Sequence, residues 1–246
     1  MTASVTDSAT TRSISALVAA TRSLLIDRVD RDHSQPDHEF RRRRIVIAVV
    51  LVVGGSLLGV SLALPPGSAW FYPLTLLVAA TWVVGGLASG PLHLGRIPHR
   101  GRLGRPVLRP IALGLAVAAV FVIGALVVRR IEPLAGLVDD VLAFADEGFL
   151  PLIILVTLVN GAAEEVFFRG GLFAAIGRRR PVLVSTLVYA AATVATANPM
   201  LVLAALVLGT LLGLERRASG GVLGPVLTHV TWSSVMLLVL PRLFGG

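Results

Sequence analysis

With 246 residues the chain is long enough for one or two soluble domains, but 55% of it is hydrophobic and only 15% charged, whereas soluble domains carry roughly a quarter charged residues. The polar surface of a water-soluble fold is missing, and the absence of cysteine excludes disulfides, thiolate metal ligands and a cysteine nucleophile. All 22 basic residues are arginine and the net charge is +8; they flank apolar runs instead of forming one basic face, which fits the positive-inside rule and gives no nucleic-acid partner. The expected fold class is therefore an all-α polytopic membrane protein with about seven transmembrane helices.

Residues 1–44 are polar. Within them Ile14, Leu17, Val18, Leu24, Leu25 and Ile26 alternate with Ser, Thr, Arg and Asp, a pattern for an interfacial amphipathic helix. No apolar centre followed by a small-residue cleavage site is present, so the segment is expected to be retained, with Asp30 to Glu39 flexible and solvated. The first span is Ile45 to Leu64, after Arg41–Arg44 and before Pro65-Pro66-Gly67, which ends it. The second runs from Trp70 to Ala88, a basic loop holds His93, Arg96, His99, Arg100, Arg102, Arg105 and Arg109, and the third covers Ile111 to Val128. Residues 129–148 form a mixed, acidic connection. The fourth span is Phe149 to Ile176, the fifth Val182 to Ala197, the sixth Met200 to Leu214, closed by Arg216 and Arg217, and the seventh Val222 to Leu240. Each run is about long enough for a hydrocarbon core of about 30 Å.

With the N-terminus in the cytoplasm, Arg41–Arg44, the Arg96–Arg109 loop, Arg178–Arg180 and Arg216–Arg217 all fall on the cytoplasmic side. The acidic connection and the C-terminal tail fall outside. The lysine-free, Ala- and Arg-rich composition fits a GC-rich bacterial genome, so the expected location is the bacterial cytoplasmic membrane. No inverted repeat of the secondary-transporter type is visible.

Ionisable groups within a span cost at least a few kcal/mol and tend to be functional. They are Glu164, Glu165 and Arg169 on the fourth span and His229 on the seventh. Neighbouring carboxylates point about 100° apart on a helix, whereas Glu165 and Arg169 meet at i,i+4 as an ion pair. Glu164 is left without a local cation, as suits a general base. The plainer alternative is a structural Glu–Arg staple, with His229 a hydrogen-bonded core residue. Counting about 1.5 Å per residue from the arginine side, Glu164 and Thr193 lie roughly 20 Å deep, His229 roughly 12 Å and Ser233, one turn past His229, roughly 18 Å.

At these residues the chain resembles the CAAX-protease and bacteriocin-processing (CPBP, or Abi) family of intramembrane proteases. Glu164-Glu165-Val-Phe-Phe-Arg169 fits its EExxxR motif. Its FxxxH motif is answered by Tyr189 and Thr193, and its HxxxN motif by His229 and Ser233. The likeness covers about Leu150 to Leu240, making residues 149–246 a four-helix catalytic core and 45–128 three accessory helices. It implies an endopeptidase that hydrolyses a membrane-associated peptide or protein, with Glu164 the general base, Glu165 and Arg169 a structural pair, and His229 and Ser233 the oxyanion donors. An older description of the family makes the same Glu and His positions metal ligands, so Glu164 and His229 are the candidates for a divalent metal such as zinc; with Thr193 in place of His, three ligands are not assembled. The alternatives are an inactive relative acting as a membrane scaffold, regulator or immunity-type protein, and a transporter whose carboxylates relay protons.

Overall fold

A computed structural model describes residues 15–31, 33–99 and 101–245; Ile14 of the amphipathic pattern and Arg100 of the basic loop lie outside them. The order is α1 (Ser15–Leu25), α2 (Asp37–Leu62), α3 (Phe71–Ala88), a hairpin of β1 (Ile97–His99) and β2 (Arg102–Gly104), α4 (Leu108–Val128) and α5 (Glu132–Asp146). Then come α6 (Leu150–Glu165), a π-helical turn (Val166–Leu172), α7 (Phe173–Ile176), α8 (Pro181–Thr193) with a 3₁₀ tail (Val194–Thr196), α9 (Pro199–Ser219) and α10 (Leu223–Phe244).

Among the described residues six helices are long and apolar enough to cross a membrane: α2, α3, α4, the continuous Leu150–Ile176 unit, α9 and α10. Their flanks leave Val49, Val52, Leu115, Val120 and Ile123 more than half exposed, a surface that water would not tolerate over so wide a girdle and lipid does. The protein is a multi-pass membrane protein. The expected fifth span is shorter than the rest: α8 with its 3₁₀ tail covers Pro181–Thr196, about 24 Å at 1.5 Å per residue. It still passes from one end of the bundle to the other. Its start follows Arg180, while its far end lies beside α2, where a Cβ on Gly59 would sit 3.0 Å from the Ala195 carbonyl.

Most of the arginines gather at one end, Arg129, Arg130 and Arg242 being at the other. Arg44 Nε donates to the Ala175 carbonyl (3.1 Å), Arg109 to Ser23 Oγ (2.6 Å) and the Pro98 carbonyl (3.0 Å), and Arg217 to the Leu25 carbonyl (3.4 Å). These bonds bring together α1, the starts of α2 and α4, the hairpin, and the ends of α7 and α9. At the opposite end Phe149 N–H donates to Tyr72 Oη (2.8 Å) and Asn198 Nδ2 to the Leu137 carbonyl (2.6 Å).

Several boundaries differ from the sequence expectation. Helix α2 begins at Asp37, so Arg41–Arg44 belong to its first turns, and Arg43 is buried with its guanidinium donating to the Pro91 carbonyl (3.1 Å). Arg31, expected in a flexible stretch, is tied to the Arg217 carbonyl (2.8 Å). The acidic connection carries the helix α5. Helix α9 continues through Glu215 and Arg216 to Ser219, past the Leu214 boundary.

Close packing comes from small residues facing aromatic ones, as in bundles where lipid supplies no hydrophobic drive between helices. A Cβ on Gly54 would collide with the Trp82 ring. Trp82 in turn packs on Phe167 and Phe168, with ring centroids 4.5 and 5.2 Å away. Gly171 lets the π turn rest against α2 and α3, since a Cβ there would lie 2.6 Å from Ile47 Cδ1 and 3.3 Å from Gly86 Cα. The π turn thus has a fixed seat, directly after the two glutamates.

Candidate active site

The site is built from α6, α8 and α10. Glu165 sits at the last residue of α6, fully buried, and its Oε1 accepts two charge-assisted hydrogen bonds: from Arg169 (3.0 Å) and from His229 Nδ1 (2.8 Å). Arg169 reaches it from the π turn, where the wider coil buries Phe167, Phe168, Arg169, Gly170 and Gly171 in succession. Such turns recur at functional sites because they aim side chains that a regular helix would disperse. The Arg169 guanidinium also lies over the Tyr189 ring, 4.6 Å from its centroid. Arg169, Glu165 and His229 therefore form one buried chain across α6 and α10.

The bond to Glu165 fixes the imidazole, since a carboxylate at Nδ1 sets both ring orientation and the Nδ1–H form. The other edge of the ring turns toward Gly161. A Cβ at that glycine would lie 3.7 Å from His229 Nε2 and 3.7 Å from Ser233 Oγ. Gly161 is three and four residues before the glutamates, so it shares their face; its missing side chain leaves Nε2 and Ser233 side by side opposite α6. Ser233 donates to the Val230 carbonyl at a long 3.2 Å, a bond that rotation about the hydroxyl can exchange for another acceptor.

Glu164, partly buried, receives a 2.6 Å hydrogen bond from Tyr189 Oη on its Oε2. The sequence spacing leaves Glu164 without a local cation and puts Thr193 in its layer. In the structure the partner is a neutral phenol from α8. Thr193 is buried one turn further along, and its hydroxyl turns back to the Tyr189 carbonyl (2.9 Å). The signal for Tyr189 was present in its substitution for the Phe of the second motif, which adds one hydroxyl at that position.

Two more residues escaped the sequence reading. Glu215 on α9 is buried, with Thr228 Oγ1 donating either to its Oε2 (2.9 Å) or to the Pro110 carbonyl (3.1 Å). Arg216 Nε donates to the Arg169 carbonyl (2.6 Å) in the π turn, and its guanidinium lies 5.2 Å from the Phe173 centroid. They lie just past the end of the apolar run at Leu214. They bind α9 to the π turn and to α10, directly behind the His229–Glu165 pair.

No three His, Cys, Asp or Glu side chains among the described residues are grouped to hold a metal ion. The oxygen of Glu165 nearest His229 already accepts from Arg169 and meets the imidazole, so the donor set does not fit a three-ligand zinc centre.

A carboxylate with a short neutral donor, an oriented imidazole and a hydroxyl thus converge from three helices within a lipid-embedded bundle. Residues 146–235 match the type II CAAX prenyl endopeptidase Rce1-like family. The matched stretch runs from the end of α5 into α10 and contains every residue of the site; α1 to α4 lie outside it. It coincides with the resemblance read from EExxxR, Tyr189/Thr193 and His229/Ser233. Neither the curated proteins nor the solved structures contain a match to the chain.

Proposed function

We propose that the chain is an intramembrane endopeptidase that hydrolyses membrane-associated peptide or protein substrates with a water activated by Glu164. The observation that carries this reading is the division of labour between the two glutamates. The Oε1 of Glu165 is taken by Arg169 and His229, whereas Glu164 meets no cation among the described residues and has its Oε2 held by the neutral Tyr189, which leaves it the base in this reading. In the proposed reaction Glu164 takes a proton from water as its oxygen bonds to the scissile carbonyl carbon. The oxyanion is met by His229, which as an imidazolium donates Nδ1–H to Glu165 and Nε2–H to the new charge, and by Ser233. Glu164 then returns the proton to the leaving amine as the C–N bond breaks.

The arginine-rich end faces the cytoplasm in this reading, with the N-terminus on that side, and substrates enter from there. The matched family's name makes a prenylated C-terminal peptide the first substrate to try. No step runs through a metal, because the ligand set for one is not assembled.

Purified protein in proteoliposomes, run in H₂¹⁸O with membrane-associated peptides, tests the reading. The expected product carries one ¹⁸O in its new carboxylate, at a rate unchanged by EDTA or 1,10-phenanthroline. Chelator-sensitive hydrolysis would remove the metal-free route. Failure to cut any peptide while one partner protein stays bound would favour the scaffold alternative, for which the loss of imidazole at Thr193 speaks.

A further inference from the structure

A second polar site lies at the arginine-rich end, away from the glutamates. A cavity of about 460 Å³ opens among the α1–α2 linker, the segment after α3, the hairpin and the end of α9. Among the described residues Arg31, Arg96 and Arg105 line it, with Asp30 as the acid. Two of the guanidinium groups are held in place by backbone: Arg31 by the Arg217 carbonyl (2.8 Å) and Arg105 by the Gly95 carbonyl (2.9 Å). Each retains further N–H donors in a fixed fork. His33 and His93 stack with centroids 3.7 Å apart and form one wall.

The three arginines give the cavity a positive field. Burial first, and then the charges of Arg216, Arg43 and Arg31, holds the His93 imidazole below the usual range. A cationic pocket of this size suits an anion larger than water. Its rim says which kind. Leu94 and Leu103 line the same cavity and are 49% and 50% exposed, and nearby Leu17 and Val18 of α1 and Ile26 just after it are all more than half exposed. Arginines inside and aliphatic side chains outside match a molecule with a charged head and an apolar tail.

We propose that this pocket binds the phosphate-bearing headgroup of an anionic phospholipid from the leaflet at the arginine-rich end. Basic pockets at this level recognise lipid phosphates. Bound lipid would clamp α1, the hairpin and the end of α9 together. The site is independent of the hydrolytic reading and stands or falls without it.

Native mass spectrometry of the full chain in a neutral detergent tests this, with phosphatidylglycerol, phosphatidylcholine and inorganic phosphate as probes. Wild type should retain phosphatidylglycerol in preference to phosphatidylcholine. Arg96→Gln with Arg105→Gln should weaken that retention by roughly tenfold or more, while Arg129→Gln with Arg130→Gln at the opposite end leaves it unchanged. If the double variant does not fold, Arg96→Gln alone, at an exposed side chain, should still lower retention by about threefold or more. Retention of phosphatidylglycerol that ignores Arg96 and Arg105 overturns the proposal, as does equal retention of phosphatidylcholine. Displacement of the lipid by equimolar inorganic phosphate would make this a free-anion site and overturn the lipid assignment.

Discussion

Glu164→Gln is expected to reduce peptide hydrolysis on the order of a thousandfold while leaving a folded, inserted protein, the scale on which a positioned general base contributes. The amide keeps the shape of the side chain, and its carbonyl oxygen can still accept the hydrogen bond that Tyr189 donates at 2.6 Å. What it cannot do is take a proton from water. Tyr189→Phe removes only the donor and leaves the base, so its loss should be smaller, about tenfold, near the worth of one charge-assisted hydrogen bond. The ordering carries the information. If Tyr189→Phe were as damaging as Glu164→Gln, the phenol would be a reacting group itself; if Glu164→Gln cut at the wild-type rate, the hydrolytic role assigned to Glu164 would be wrong.

Arg169→Met should produce the largest loss of stability. Its guanidinium is fully buried, donates to Glu165 and covers the Tyr189 ring. Removing one member of a buried charged pair is strongly destabilising, at a cost of about 3–5 kcal/mol. The Glu165 oxygen would then keep only His229. Thermal unfolding in detergent should show a marked drop in midpoint, and Glu165→Gln combined with Arg169→Met should recover part of it, since the orphaned charge is gone. An Arg169→Met protein that melts with wild type would mean that the pair contributes nothing to holding the π turn.

The spans were legible because lipid leaves little choice: an apolar run of about 20 residues bounded by arginine has few other uses. Glu164, Glu165, Arg169 and His229 were legible for the converse reason, as charges inside such runs. Glu215 and Arg216 were not. They directly follow the apolar run of α9, and only the tertiary fold shows that a threonine of α10 and the carbonyl of Arg169 draw them inward. The π turn has no periodicity to announce it, and α5 was hidden by its charge. Thr193 and Tyr189 illustrate a finer limit. Motif position made Thr193 the residue to watch, but a threonine on a helix readily bonds its own backbone, and the Tyr189 hydroxyl reaches the carboxylate instead.

The account depends on α6 and α10 facing each other with Gly161 against His229 and Ser233. The chain has no cysteine, so paired cysteines can be introduced without background. A Cβ at position 161 would lie 3.7 Å from Ser233 Oγ, within small adjustments of disulfide geometry. Gly161→Cys with Ser233→Cys should oxidise nearly completely under mild conditions in the membrane. The neighbouring pair, Asn160→Cys with Ser233→Cys, is rotated about 100° away on α6 and should stay reduced. Crosslinking at 160 with none at 161 would turn the glutamates away from His229 and contradict the site.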